Sequence, residues 1–244
     1  MLEIKNMTTT LGGNTILHNL NCNFESGVHG LLGPNGAGKT TFMRSLIGLY
    51  PSATGSILLN GANIHSVDIG YLPQKFGLFP GMTVRECMRY IAFSKGISSC
   101  SLDEDIESVI ESVNLSSYID KKAHTLSGGM VRRVGIAQAF LGNPPIIICD
   151  EPTAGLDPEE RLRFRDLIKQ TNCDDKIIII STHIVDDAEF LCDYIIAKDT
   201  TDGIKTAMTR LLASPSIDTS EPASADPTLE DGYMYILKSY RNGV

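Results

Sequence analysis

Gly33-Pro34-Asn35-Gly36-Ala37-Gly38-Lys39-Thr40 stands between the apolar run Val28 to Leu32 and a helical pattern. The spacing is that of a phosphate loop, with the strand before and the helix after that such a loop needs. Glycines let the backbone turn so that successive N–H groups converge on one anion, while the following helix presents its positive end to the same point. Lys39 is set to reach the β- and γ-phosphates of a nucleotide, and the Thr40 hydroxyl to ligate Mg²⁺.

Outward from this loop, short β-branched or apolar runs alternate with amphipathic helical patterns, as in a mostly parallel sheet covered by helices. Strands are expected at Val28–Leu32, Ser56–Leu59, Ile69–Leu72, Ile146–Cys149, Lys176–Ser181 and Tyr194–Ala197. Between Gln74 and Ile146 the pattern is helical throughout and reads as an insertion. Thr83 to Lys95 forms one helix, and Ser101-Leu102-Asp103-Glu104 has capping-box spacing for a second that runs to about Asn114. From Ala213 to Gly232 the chain is rich in Ser, Pro, Thr, Ala and Asp, which suits a flexible linker, and Tyr233 to Leu237 suits a short docking helix. No internal repeat is present.

Ile146-Ile147-Ile148-Cys149-Asp150-Glu151 is a buried strand ending in two carboxylates, and ligands of parallel sheets lie at the carboxyl ends of the strands. Asp150 suits a Mg²⁺ contact, directly or through a water. Glu151 points to the other side and can orient or deprotonate a water attacking the γ-phosphate. Alone, the pair would equally open an acidic loop before Pro152; with a phosphate loop in the same chain the catalytic role is favoured. Ile177 to Ile180 runs into Ser181-Thr182-His183, and a strand beside that of Asp150 would carry the His183 imidazole to the γ-phosphate. Gln74, where the sheet gives way to helices, offers a neutral amide to Mg²⁺ or water. Leu126-Ser127-Gly128-Gly129-Met130 opens a helix with a hydroxyl and backbone N–H groups, an anion site with no ligand group beside it in the chain.

The 244 residues, 42% of them hydrophobic, can bury the core of one large domain. The longest apolar runs fall far short of the roughly 20 residues of a membrane-spanning helix. Met1-Leu2-Glu3-Ile4-Lys5 lacks the form of a signal peptide, so a cytosolic chain is expected. The six cysteines have neither a Cys-x-x-Cys pair nor zinc spacing and are expected to be reduced thiols. A net charge of −8 argues against broad nucleic-acid binding. Arg132-Arg133 and Arg161, Arg163 and Arg165 are expected on solvated helix faces.

Together these residues resemble the nucleotide-binding subunit of ATP-binding cassette (ABC) transporters, over roughly Leu2 to Leu212. Gly33, Pro34, Asn35, Gly36, Ala37, Gly38, Lys39, Thr40 and Thr41 look like the Walker A loop, and Gln74 like the Q-loop glutamine. Leu126 to Met130 is similar to the family signature and Ile146 to Glu151 to the Walker B strand. Ala154-Gly155-Leu156-Asp157 resembles the D-loop, and His183 the switch histidine.

The resemblance implies an α/β fold, a P-loop NTPase (RecA-like) with a mostly parallel sheet, an antiparallel β edge and a helical subdomain insertion. Residues 1–75 and 124–212 would form the nucleotide-binding core, 76–123 the helical subdomain with the signature at its end, and 213–244 a linker and short helix. It implies ATP and Mg²⁺ as bound species. ATP would be held by the Walker A residues and by Ser127, Gly128, Gly129 and Asp157; Mg²⁺ by Thr40, Gln74 and Asp150. Glu151, His183 and Gln74 would carry hydrolysis. In this family the signature of one subunit closes on the γ-phosphate held by the Walker A loop of another, so ATP favours a closed dimer and hydrolysis reopens it.

The partners implied are a second nucleotide-binding subunit, in a homodimer or heterodimer, and an integral membrane permease. The subunit would be cytoplasmic, peripheral on the inner face of the cell membrane, and would bind no nucleic acid. Leu78-Phe79-Pro80-Gly81-Met82 is the apolar stretch expected to meet the permease, with ordinary packing inside the domain as the other possibility. The chain ends soon after the strand at Tyr194, and Pro227-Thr228-Leu229-Glu230-Asp231 looks like the tail of drug, peptide and lantibiotic exporters; an importer subunit stays open. A soluble ABC ATPase without a membrane partner is the alternative, and a phosphate-loop kinase would have no use for the signature. Two positions depart from the family pattern: Met130 replaces the usual glutamine after the signature glycines, and Leu11 stands where an aromatic residue stacks on adenine.

Overall fold

The computed structural model describes residues 1–64, 69–97, 100–171, 175–197 and 207–210. The expected linker at 213–232 and docking helix at 233–237 lie outside them. In chain order the elements are β1 (Leu2–Leu11), β2 (Asn14–Phe24), β3 (Gly27–Leu32), α1 (Lys39–Leu46), β4 (Ala53–Leu59), β5 (Ala62–Asn63) and β6 (Ile69–Leu72). Then follow α2 (Val84–Ser94), α3 (Leu102–Ser112), α4 (Gly128–Phe140), β7 (Ile146–Asp150), α5 (Pro158–Gln170), β8 (Ile177–Thr182), α6 (Val185–Leu191), β9 (Tyr194–Ala197) and β10 (Ala207–Arg210).

Two sheets result. β3, β6, β7, β8 and β9 pair in parallel in the order β10-β9-β3-β8-β7-β6, with β10 antiparallel at one edge. The isoleucine runs explain why this sheet is central. Ile147, Cys149, Ile178 and Ile180 enter the core on one face, while Ile146, Ile148, Ile177 and Ile179 enter the core on the other. Strands buried on both sides read as continuous apolar runs, as parallel strands covered by helices must. Burial also pushes the Cys149 thiol up to about 12, so it stays a neutral filler beside the site.

Ser56 to Leu59 proves to belong elsewhere. It lies within β4, in a separate antiparallel sheet of order β2-β1-β4-β5 that packs over α1 and contributes Leu2, Ile4, Met7, Leu17 and Leu20 to the second core.

Between β6 and β7 the described elements are helices joined by turns, with one isolated bridge between Thr83 and Lys122. Helix α2 starts at a capping box: the Thr83 hydroxyl accepts from the Glu86 N–H at 3.1 Å while the Glu86 carboxylate accepts from the Thr83 N–H at 2.6 Å. The capping box expected at Ser101 does not form; Ser101 lies outside the β region at φ −100, ψ 18 and makes no side-chain cap. The neighbouring Asp103 carboxylate accepts from Arg89 Nε at 2.7 Å. Helix α4 returns to the sheet and seats against β6 and β7. Gly70 permits this contact, because a Cβ there would collide with the Ala139 carbonyl oxygen.

Candidate functional site

The strand order sets four loops side by side. Leu32 pairs with Thr182, Ser181 with Asp150 and Cys149 with Leu72, so the carboxyl ends of β3, β8, β7 and β6 finish level with one another. Those ends carry the glycine loop, His183, Asp150-Glu151 and Gln74 respectively. The crevice outside such strand ends is where open α/β sheets bind ligands.

In the glycine loop, Gly36 and Gly38 take φ 85 and φ 89, left-handed values that a side chain would resist. These turns bring the chain round into α1, whose N-cap Gly38 supplies no side-chain cap to the first N–H groups. Lys39 lies at the head of α1 and donates from Nζ to the carbonyl oxygens of Gly33 and Pro34, the latter at 3.1 Å. Burial lowers its pKa, while the Glu151 and Asp150 carboxylates oppose that fall and favour the cation. Thr40 and Thr41 are half-buried in the first turn.

Asp150 is buried, and its Oδ1 accepts a 2.7 Å hydrogen bond from the Ser181 hydroxyl. Its Oδ2 has no donor from the protein although it is buried. A carboxylate oxygen left in this state is costly unless a cation or water meets it. The Thr40 hydroxyl and the Gln74 amide oxygen would extend it to an all-oxygen donor set, the chemistry Mg²⁺ prefers. The residues therefore fit the ion.

Glu151 lies between Gln74 and His183. The Gln74 Nε2 donates to Glu151 Oε2 at 3.3 Å, and His183 Nδ1 is 3.3 Å from Glu151 Oε1. The backbone there is strained: among the described residues, positive φ is taken by glycines, by five asparagines and by Glu151 at φ 50. Its N–H donates to the Ser181 hydroxyl at 3.0 Å and to the Ser181 carbonyl at 3.2 Å, so the last residues of β8 hold the turn. Ser181 thus braces the Asp150 carboxylate and the Glu151 backbone, a role the sequence did not reveal although the residue stands directly before Thr182-His183.

The signature residues open α4. Ser127 is its N-cap, its Oγ accepting from the Met130 N–H at 3.2 Å, and Gly128 is exposed with no atom near the place of a Cβ. Met130 is partly buried against the main core. Asp157 is also a cap: its Oδ1 accepts from the Glu160 N–H at 2.9 Å and starts α5. Its carboxylate is thereby engaged in the helix start rather than gathered with Lys39, Asp150 and Glu151. Leu11 ends β1, half-buried, before the left-handed Gly12-Gly13 turn.

Three arginines expected on solvated faces are not there. Arg132 is buried, and its guanidinium donates to backbone carbonyls of five residues: from Nε to Pro152 at 3.2 Å, from Nη1 to Pro73 at 2.7 Å and Gln74 at 3.1 Å, and from Nη2 to Asp150 at 2.8 Å and Glu151 at 2.6 Å. Arg133 caps the end of α3 through the Val113 and Asn114 carbonyls and pairs with Glu160 at 2.9 Å. Arg165 pairs at 2.9 Å with the buried Asp187, which also accepts from Thr153 at 2.7 Å. The signal was available for Arg132: α4 is apolar nearly all round, and a charge on such a helix must be buried and paired.

The profile of the ABC transporter family matches residues 17–154. The chain belongs to that family. It is 35% identical to the Nod factor export ATP-binding protein I of Cupriavidus metallidurans, over 82% of this chain and 68% of the relative. It is 34% identical to the linearmycin resistance ATP-binding protein LnrL of Bacillus subtilis, over 80% of this chain and 65% of that protein. The chain thus spans about two thirds of the length of these relatives. Among solved structures it resembles a dimeric bacterial ABC transporter cassette at 28% identity and TM-score 0.71, covering 81% of this chain and 94% of the other. A dimeric cassette in a post-hydrolysis state bound to ADP and Pi is similar at 27% identity and TM-score 0.70, with the same coverage. The ABC cassette described here is accordingly an ATP-binding ATPase.

Proposed function

We propose that this ABC cassette hydrolyses ATP, with Mg²⁺ bound, in a closed dimer and thereby drives export through a separate membrane permease. The observation that carries the hydrolytic part is the Glu151 carboxylate held between Gln74 and His183 beside Asp150, level with the glycine loop. Lys39 exchanges loop carbonyls for β- and γ-phosphate oxygens, and the N–H groups of the loop and of α1 hold the same anion. Thr40, Asp150 and Gln74 would hold Mg²⁺, which would supply positive charge against the phosphates. Glu151 orients the attacking water and accepts its proton, Gln74 and His183 fix the carboxylate, and His183 would meet the γ-phosphate from the end of β8. Ser127, Gly128 and Gly129 meet the γ-phosphate held by a second cassette, whether an identical or a different chain.

In this reading the core comprises 1–75 and 124–212, and 76–123 is a helical subdomain between that core and the permease. Support for docking comes from an exposed aromatic surface around the start of that segment. Phe79 is 49% exposed and packs edge-on to Tyr90, 51% exposed, at 5.1 Å, and Phe93 on the same helix is 83% exposed. Exposed apolar groups gathered in this way mark interaction sites. The names of the relatives, which include export and resistance ATP-binding proteins, favour export. No helix among the described residues is long and apolar enough to cross a membrane, and membrane passage is assigned to the permease. The cassette would sit on the cytoplasmic face.

Fractionation of the source cells tests the assignment. The chain is expected with the membranes, and Phe93→Asp with Phe79→Asp is expected to release most of it while leaving its own ATPase rate within about twofold, since surface substitutions rarely disturb a core. A doubly substituted chain that stays on the membranes contradicts docking through this surface.

Base selectivity gives a second expectation. With Leu11 where an aromatic ring would stack on adenine, the site forgoes about 1 kcal/mol of stacking. GTP should therefore support hydrolysis nearly as well as ATP. A competition assay measures this, and a strong preference for ATP counts against it.

A further inference from the structure

Arg132 is hydrogen-bonded to both hydrolytic loops. A guanidinium carries five N–H donors in a rigid planar fork. Here the fork meets carbonyls on both sides of the site: Pro73 and Gln74 after β6, and Asp150, Glu151 and Pro152 at the end of β7 and just beyond it. The side chain thus spans the Gln74 loop and the Glu151 loop and sets the distance between them. It comes from α4, little more than one helical turn beyond Ser127-Gly128-Gly129.

The geometry of Glu151 makes this fastening consequential. A left-handed φ of 50 at a side chain other than Asn or Gly persists only where the surroundings over-determine it. The Glu151 carbonyl accepts from Arg132 Nη2 at 2.6 Å and from the Ala154 N–H at 3.1 Å, while its N–H is held by Ser181. Of these anchors only Arg132 belongs to the helix that carries the signature. The two loops therefore follow α4, and a phosphate engaging the N-terminus of α4 acts on the position of the Glu151 carboxylate.

We propose that Arg132 is a positioning residue for hydrolysis: it clamps the backbones of Gln74 and Glu151 to the signature helix and makes turnover depend on where that helix sits. This rests on the hydrolytic role given above to Glu151. Arg132 reaches neither the glycine loop nor Lys39, so ATP binding should survive its loss. A displacement of reacting groups on the order of 1 Å costs about 10²-fold in rate.

The test uses the full chain as wild type, Arg132→Lys and Arg132→Met, each alone and combined with Glu151→Gln. Lysine keeps the charge but replaces the fork by one ammonium; methionine removes every donor. The expected result is a kcat lower by about 30- to 100-fold for Arg132→Lys, and lower again for Arg132→Met, with KM for ATP within about threefold. In the Glu151→Gln background Arg132→Lys should add almost nothing, because it acts through Glu151. Amide hydrogen exchange, which needs no activity, should quicken at residues 73–76 and 150–154 in both single variants.

A kcat for Arg132→Lys within about threefold of wild type would overturn the proposal, as would losses in kcat and ATP affinity that run together with lowered thermal stability. Additive losses with Glu151→Gln would also overturn it. A wild-type chain without ATPase activity would instead contradict the hydrolytic role of the site. Unchanged exchange at 73–76 and 150–154 would then still refute the clamp, and quickened exchange would support it.

Discussion

Glu151→Gln is expected to lower ATP turnover by about 10³-fold while leaving ATP binding intact, a barrier increase of about 4 kcal/mol. The substitution is nearly isosteric, and an amide oxygen can still accept from Gln74 while the strained turn keeps its anchors on Ser181 and Arg132. What is lost is the basic carboxylate. Lys39, Thr40 and Asp150 do not depend on it for position, so the nucleotide should stay bound. Single-turnover measurement at saturating Mg-ATP separates the two effects. Turnover within about tenfold of wild type would remove Glu151 from the role of base, because positioned proton transfer contributes about 10²- to 10⁴-fold.

Lys39→Ala acts at the other end of the reaction. Its ammonium lies against the Gly33 and Pro34 carbonyls, in the field of Asp150 and Glu151, and no side-chain cap competes for the N–H groups at the head of α1. Removing a charged donor aimed at phosphate costs about 3 to 4 kcal/mol in the transition state, about 10²- to 10³-fold in kcat/KM. Binding should fall as well. ATP at about 100 times its Kd stabilises a folded chain by about 2.7 kcal/mol. For this size that is about 5 to 10 °C in Tm. Thermal unfolding should show this rise for wild type and little of it for Lys39→Ala. An equal rise in both would place the phosphates elsewhere.

Much of this site was legible because its parts are local. A glycine loop between strand and helix, and carboxylates after an isoleucine strand, carry their chemistry in a few consecutive residues. Parallel register then brings them level without further information. The long hairpin β1–β2 was harder. Its threonines and asparagines break the alternation of apolar residues, register shifts interrupt β1 from Ile4 to Thr10, and Asn6 and Asn19 take positive φ. The four-residue capping-box pattern occurs at both Thr83-Glu86 and Ser101-Glu104, and only the backbone geometry at the first residue distinguishes the true cap. Arg133 and Arg165 escaped notice for one shared reason. Their partners are backbone carbonyls or carboxylates far away in the chain, and a charged residue on a helix looks solvated until its neighbours are known.

The claim that the signature completes a site in a second chain is tested most directly by light scattering of Glu151→Gln, with and without Mg-ATP, beside the same variant carrying Ser127→Arg. Ser127 is exposed at the head of α4, so an arginine there should obstruct a partner's phosphate at the cost of one helix cap, about 1 kcal/mol of stability. The expected result is a dimer of Glu151→Gln that forms only with Mg-ATP and is abolished by Ser127→Arg. An ATP-bound Glu151→Gln chain that stays monomeric, or a dimer indifferent to Ser127→Arg, would contradict it.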